Sequence, residues 1–415
     1  MKIITLDKLF CNKVKKHNII YNIMIYYSKR KEKFMNIIGI IAEYNPLHTG
    51  HLYQIKEARK KFPNSIIILI TNTYFTQRGD ISIINKWDKT KIALENNIDL
   101  VVELPFAYAT QSSDIFAAGA LKILNYLQID TLIFGSESND IKKLTKIANE
   151  QLNNPKYDKL VKKYLNTGIN YPTALNKALI DITNTSTSEP NDLLGISYIK
   201  EIIKNNYKIT PITIKRIGSY HDKKTTSNIT NATLIRKKLI NNENISKYLP
   251  KSEEKYLKKI SLENYYPYLL YKIKTTPDLS IYQTTDEGIE NRIKKVINNS
   301  NSWEELVKNI KTKRYTYNKI NRMLIHILTS FTKQEAKEKC NIDYIKVLGF
   351  NEKGKKHLNK IKKELKIPII TKYKKNISPL LDIDLRTASI YYLPIDTKLL
   401  QKEYNSKPII YLKKN

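Results

Sequence analysis

Gly39-Ile40-Ile41-Ala42-Glu43-Tyr44-Asn45-Pro46-Leu47-His48-Thr49-Gly50-His51-Leu52-Tyr53-Gln54 is the most densely patterned stretch of the chain. The apolar run Ile37 to Ala42 reads as a buried strand, Asn45-Pro46 breaks it, and from Gly50 to about Lys61 the pattern is helical. Strand, tight loop and helix in that order make a nucleotide-binding layout. The unpaired backbone N–H groups at a helix start carry the positive end of its dipole, and phosphates settle there. Gly50 allows close backbone approach, and the rings of His48 and His51 can donate to phosphate oxygens and to charge developing on them. A lone histidine is usually a satisfied structural residue, but the ordered Pro-X-His-X-Gly-His spacing argues against that reading.

Outward from this element, strand and helix alternate. Strands are expected at Ser65 to Thr71, Asp99 to Val102, Thr131 to Phe134 and Ile209 to Lys215, with helices at Ile84 to Glu95 and Ser113 to Leu127. That alternation predicts an α/β fold, a parallel sheet covered on both faces with ligands at the carboxyl ends of its strands. Specific polar groups cluster at those ends. Thr76-Gln77-Arg78-Gly79-Asp80 and Asn85-Lys86-Trp87 follow the second strand, Glu103-Leu104-Pro105-Phe106-Ala107-Tyr108-Ala109-Thr110-Gln111-Ser112 the third, and Phe134-Gly135-Ser136-Glu137 the fourth. Arg78 and Lys86 are candidate partners of phosphate or carboxylate, against the plainer reading of solvated charge. Asp192, after Pro190-Asn191, is expected to cap the helix that follows.

With 415 residues the chain can bury a large core and divide into two domains. Lys and Arg outnumber Asp and Glu by 72 to 39, for a net charge of +33, which suits an anionic macromolecule. An AT-rich genome, by favouring Lys, Ile, Asn and Tyr, would raise the charge of any protein, so charge alone does not choose a partner. Cys11 and Cys340 form no metal or disulfide framework, which points to a reducing cytoplasm. In residues 1–34 the apolar run Ile19 to Tyr27 is too short to span a bilayer and has no cleavage site after it; a membrane-surface helix is a competing reading, but Met35 is read as the true start because the first strand begins immediately after it. Beyond about residue 240 the period is helical, and Lys313, Arg314, Lys319 and Arg322 interleave with Tyr315 and Tyr317, a pattern suited to phosphate contact and base stacking.

In order and spacing these segments resemble the bacterial tRNA(Met) cytidine acetate ligase family. That family lies within the His-X-Gly-His superfamily, which includes class I aminoacyl-tRNA synthetases and pantetheine-phosphate adenylyltransferase. The resemblance covers about Met35 to Tyr411. It implies a Rossmann-like nucleotide-binding domain over 35–240 and a mainly helical, tRNA-binding domain over 241–415. It also implies that Ile41 through Gln54, Gly135, Asn191 and Arg216 contact ATP, with His48 and His51 catalytic. Thr230-Asn231-Ala232-Thr233-Leu234-Ile235-Arg236 is similar to the superfamily's triphosphate-holding signature, with Asn231 where Ser is usual, and His221-Asp222 match a shared signature whose chemistry does not follow from the residues.

The activity so implied has two steps. Acetate attacks the α-phosphate of ATP, giving acetyl-adenylate and pyrophosphate, and the exocyclic amine of the wobble cytidine of elongator tRNA(Met) then takes the acetyl group. The implied partners are ATP, acetate and that tRNA, with no membrane. No Cys/His cluster has zinc spacing and no Walker-type loop occurs, so a metal would be Mg²⁺ held by the ATP phosphates. Read without the resemblance, the residues reach ATP-using α-phosphate chemistry on RNA. A nucleotidylyltransferase acting on a small phosphate ester, or an RNA-binding protein with a vestigial nucleotide site, fits them as well.

Overall fold

A computed structural model describes residues 36–217, 230–251, 253–374 and 377–412. The reading of Met35 as the start and the His221-Asp222 signature lie outside the described residues. Strands β1 (Ile37–Ile41), β2 (Ile66–Thr71), β3 (Leu100–Glu103), β4 (Thr131–Ser136) and β5 (Thr210–Lys215) pair in parallel in the order β5-β4-β1-β2-β3. Helices α1 (Thr49–Lys61), α2 (Lys86–Glu95) and α3 (Ser113–Tyr126) lie between successive strands. All five strands fall within two residues of the expected starts.

Side chains alternate between the two faces of the sheet, and both faces are covered. Ile38, Ile40, Ile67, Leu69 and Val101 pack with Ile55 and Ala58 of α1 and Ile92 of α2. Ile66, Ile68, Ile70, Val102 and Leu132 share the opposite core with Phe116, Ala120 and Leu124 of α3. Every residue of β2 is therefore buried, which is why its sequence is a continuous apolar run. Four helices follow β4: α4 (Ile141–Asn153), α5 (Pro155–Leu165), α6 (Tyr171–Thr183) and α7 (Pro190–Lys204). Side chains of Asp140, Asn154 and Asn170 accept from backbone N–H groups at the starts of the first three, a local rule for where each begins.

Residues beyond 230 supply α8 (Ala232–Ile240), α9 (Tyr266–Thr275), α10 (Ile289–Val296), α11 (Trp303–Ile310) and α12 (Tyr317–Leu328). The chain then returns to the sheet. Strand β6 (Ile345–Phe350) runs antiparallel to β3, and β7 (Ile369–Ile370) and β8 (Ile409–Ile410) both pair with β6. Helices α13 (Glu352–Ile361) and α14 (Pro379–Tyr392) complete this part. Ile37–Asn415 forms one compact unit, and its sheet draws strands from both sides of residue 240.

A buried charge cluster ties the late segments to the early ones. Lys86 Nζ lies 3.1 Å from Glu103 and 2.6 Å from Glu403, all three side chains at most 3% exposed. Burial opposes the lysine's charge, but Glu103 and Glu403 more than compensate and hold its pKa above the ordinary value. Lys86 is thus a carboxylate partner inside the protein, and the plainer reading of solvated charge is overturned.

Candidate active site

At the carboxyl end of β1 the two histidines are locked by each other's backbone. His48 is the N-cap of α1. Its Nδ1 accepts from the Gly50 N–H at 3.1 Å, and His51 Nδ1 accepts from the His48 N–H at 3.3 Å. The rings stack with centroids 3.8 Å apart, and Tyr44 lies 4.8 Å from His51. A backbone N–H can only donate, so both Nδ1 atoms are unprotonated acceptors and the proton of each neutral ring sits on Nε2. Burial, followed by the charges of Arg216 and Arg236, lowers the His48 pKa to about 3, while burial, then His48 and Arg216, hold His51 well below the ordinary value. The pair is therefore two neutral Nε2–H donors at neutral pH.

The rest of the loop divides its labour. The side chains of Tyr44, Asn45, Pro46 and Leu47 are buried. Asn45 spends its amide on the Ile81 carbonyl and the Ile83 N–H, and the Leu47 N–H donates to Glu253. These four therefore brace the loop, leaving backbone and histidines to face a ligand. Ile41, Ala42, Glu43, Thr49, Leu52, Tyr53 and Gln54 are partly exposed. Arg236 in α8 donates to the Asn45 carbonyl at 2.9 Å and pairs with Asp80 at 2.7 Å, and Asn231 caps α8 by accepting from the Leu234 N–H.

Gly135, Asn191 and Arg216 meet around Glu137, at the ends of β4 and β5. Asn191 and Asp192 donate backbone N–H groups to the Glu137 carboxylate, and Arg216 Nε lies 3.7 Å from it. Gly135 lies inside β4, not after it, because the strand continues to Ser136; a Cβ there would meet the Arg216 side chain at 3.3 Å. Asp192 does not cap its own helix. Its carboxylate crosses to accept from Ser136 Oγ and from the N–H groups of Glu137 and Ser138, so Glu137 and Asp192 brace each other's loops.

The ends of β2 and β3 meet α12. Gly79, at φ +76°, takes a left-handed conformation, and a Cβ there would fall 2.3 Å from the Arg322 backbone nitrogen. The Gln77 N–H donates to Glu43 at 2.6 Å, its side chain donates to the Gln111 carbonyl, and its own carbonyl accepts from Arg322. Arg314, Lys319 and Arg322 line a cavity of about 700 Å³ beside Gln77, and Lys313 is exposed outside that wall. The charge of Arg78 bears on Glu43, whose pKa burial raises. Among the described residues no group of three or more His, Cys, Asp or Glu side chains converges on a metal position, and no helix is long and apolar enough to cross a membrane.

Residues 35–407 match the family described as HIGH Nucleotidyl Transferase. A tRNA(Met) cytidine acetate ligase of Bacillus subtilis is 36% identical over 406 residues, spanning 91% of this chain and 98% of the relative. One of Thermoanaerobacter sp. is 40% identical over 382 residues, spanning 86% and 95%. The chain belongs to the tRNA(Met) cytidine acetate ligase family. Two crystal structures of Thermotoga maritima TmcAL, one apo and one bound with alpha-thio ATP, superpose with TM-scores of 0.84 and 0.81 at 27% identity, each covering 91% of this chain and 99% of the other.

In this acetate ligase family member several groups that shape the site had no sequence signal. Glu253 reaches the histidine loop from 206 residues away, and burial raises its pKa to about 8. Lys89, which donates to Asn72, is lowered to about 7 by burial against the opposing pull of Glu43 and Glu253. No local pattern marks either as part of the site. Gln77 and Gln111 lay within the polar strings at the strand ends, and that position was the available signal.

Proposed function

We propose that this chain is an ATP-dependent acetate ligase that forms acetyl-adenylate and acetylates the exocyclic amine of the wobble cytidine of elongator tRNA(Met). The observation that carries the reading is the reciprocal His48–His51 cap, which presents two neutral Nε2–H donors at a helix start. Neutral donors fit a triphosphate in a setting already made positive by the helix dipole, Arg216 and Arg236. The phosphates lie against the backbone of the Ile41 to Gln54 segment, with His48 and His51 donating to the oxygens that gain charge as acetate attacks. Gly135, Asn191 and Arg216 border the nucleotide from β4 and β5. Acetate is ionised at neutral pH and needs no base for that attack, so the protein's work in the first step is alignment and charge stabilisation.

The described residues hold no ready carboxylate cage, so Mg²⁺ is read as travelling with the ATP phosphates. The second step needs an activated acyl group held against the cytidine amine, and the basic residues around α12 are read as contacts of the tRNA backbone. Family membership and a tRNA substrate support a cytoplasmic location. The test is pyrophosphate release from ATP, with and without acetate, followed by acetyl transfer to the tRNA. Acetate-independent release onto a phosphate ester would instead make the chain a small-molecule nucleotidylyltransferase.

A further inference from the structure

The histidine loop and the Glu137 cluster occupy the carboxyl ends of β1, β4 and β5, one half of the sheet's ligand-binding edge. The cavity of about 700 Å³ occupies the other half, since Gln77 follows β2 and Gln111 follows β3. The halves touch through the Gln77 N–H, 2.6 Å from the Glu43 carboxylate of the histidine segment. A cavity of that size exceeds what acetate needs and falls in the range of sites for nucleoside-sized ligands.

Two groups in its wall are left uncompensated. Gln111 is 2% exposed, and its side-chain Oε1 is buried with no hydrogen-bond partner. Buried polar atoms are ordinarily paired, so an orphaned amide acceptor on a residue that lines a cavity marks a place for a donor that the side chain could turn to meet. Arg322 hydrogen-bonds to the Gln77 carbonyl, and no carboxylate pairs with it among the described residues; burial alone lowers its pKa to about 10. Elsewhere on the wall Lys200 pairs with Asp114 at 2.8 Å and Arg314 with Glu287 at 3.5 Å, and Lys319 lies over the Tyr315 ring. Tyr171, also lining the cavity, is 52% exposed and offers a ring face. One buried acceptor, one unpaired guanidinium and an open aromatic together describe a base edge with a donor, its phosphate and a stacking neighbour.

We propose that this cavity receives the reacting cytosine and that Gln111 Oε1 accepts a hydrogen bond from its exocyclic amine, with Arg322 on an adjacent phosphate. The assignment rests on the acetate-ligase reading and adds the residue that selects the base. Uracil presents a carbonyl oxygen where cytosine presents the amine, so acceptor would face acceptor in a buried wall. Holding the amine there sets it beside the histidine segment, where the acyl group is activated.

The test uses RNA hairpins of one sequence with cytidine, uridine, or cytidine doubly methylated on the exocyclic amine at the reacting position. Their dissociation constants are compared at fixed salt without acetate. The wild-type chain should bind the cytidine hairpin about 10-fold or more tighter than either other. Gln111→Leu should bring the three within about twofold of one another, while acetate-dependent pyrophosphate release stays within about twofold of wild type. Equal binding of all three hairpins by the wild type overturns the proposal, as does a cytidine preference that survives Gln111→Leu. Should that variant not fold, the methylated hairpin on the wild type decides. Failure of acetate-dependent pyrophosphate release with the cytidine preference intact would refute the ligase reading and leave the base-reading role standing.

Discussion

The histidine loop and the cavity beside it are assembled over different distances along the chain. The groups that fix His48 and His51 lie two and three residues away. On the other side, Arg322 meets Gln77 across 245 residues on the cavity wall, and elsewhere in the fold Glu403 meets Trp87 across 316. A motif whose geometry closes within one helical turn keeps its meaning wherever it is placed. A cavity whose walls come from segments far apart in the chain exists only once the whole fold has formed. The local half should therefore fail by losing chemistry, and the long-range half by losing stability.

The sharpest contrast is at Lys86. Lys86→Met strands the buried carboxylates of Glu103 and Glu403, and breaking one partner of such a pair costs about 3–5 kcal/mol. Equilibrium denaturant unfolding should show that loss. A change below about 1 kcal/mol would mean that the cluster is not what binds late segments to early ones. On the local side, His48→Asn keeps an acceptor at the N-cap but removes the outward ring N–H. Acetate-dependent pyrophosphate release should fall about 10²-fold or more, roughly 2.7 kcal/mol in the transition state, with less than about 1 kcal/mol of stability lost. His48→Ala is the poorer variant, because His48 is 5% exposed and caps α1.

Acidification separates the same two roles. The folded His48 pKa, at about 3, lies below the ordinary 6.5. Between those values the unfolded chain binds a proton that the folded chain does not. This contribution to stability is thus fully present above 6.5 and is lost as pH falls through the window toward 3. From about pH 7 to about pH 5 the loss is about 2 kcal/mol for this one group. Unfolding free energies of wild type and His48→Asn should diverge by that amount over this interval, and parallel curves would mean that the ring titrates in the folded state as it does in the unfolded one.

How much of this was legible in the sequence follows the same division. The inner strands, β2 above all, were readable because a strand buried on both faces must be continuously apolar, whereas the partly exposed edge strand β5 offered a weaker signal. The histidine loop was readable because its residues are neighbours. Gly135 was misplaced by the short extent assigned to β4, and Asp192 was read as a cap because capping is the commonest local use of an acid at a helix start. The return of β6 to pair with β3 depends on packing that no local period encodes. Glu253 and the orphaned Gln111 oxygen were invisible because burial and lack of a partner are properties of the folded chain.

The smallest expected effect on ATP comes from the basic face outside the histidine loop. Lys313, Arg314 and Lys319 lie at the start of α12 or just before it, and among the described residues none of them hydrogen-bonds to the histidine loop, whereas Arg322 touches Gln77 and through it Glu43. Replacing the first three with Ala should weaken tRNA binding and flatten its salt dependence by up to about 0.7–0.9 in log–log slope for each phosphate contact removed. ATP affinity should stay within about twofold, or roughly 0.4 kcal/mol. Adding Arg322→Ala should shift both quantities, because that guanidinium stands where the two halves join. Titrations of tRNA at several salt concentrations and of ATP at one would measure this. A slope unchanged by the triple substitution would return these residues to solvated surface, and an ATP affinity that fell with the triple would mean that the local half depends on the distant one.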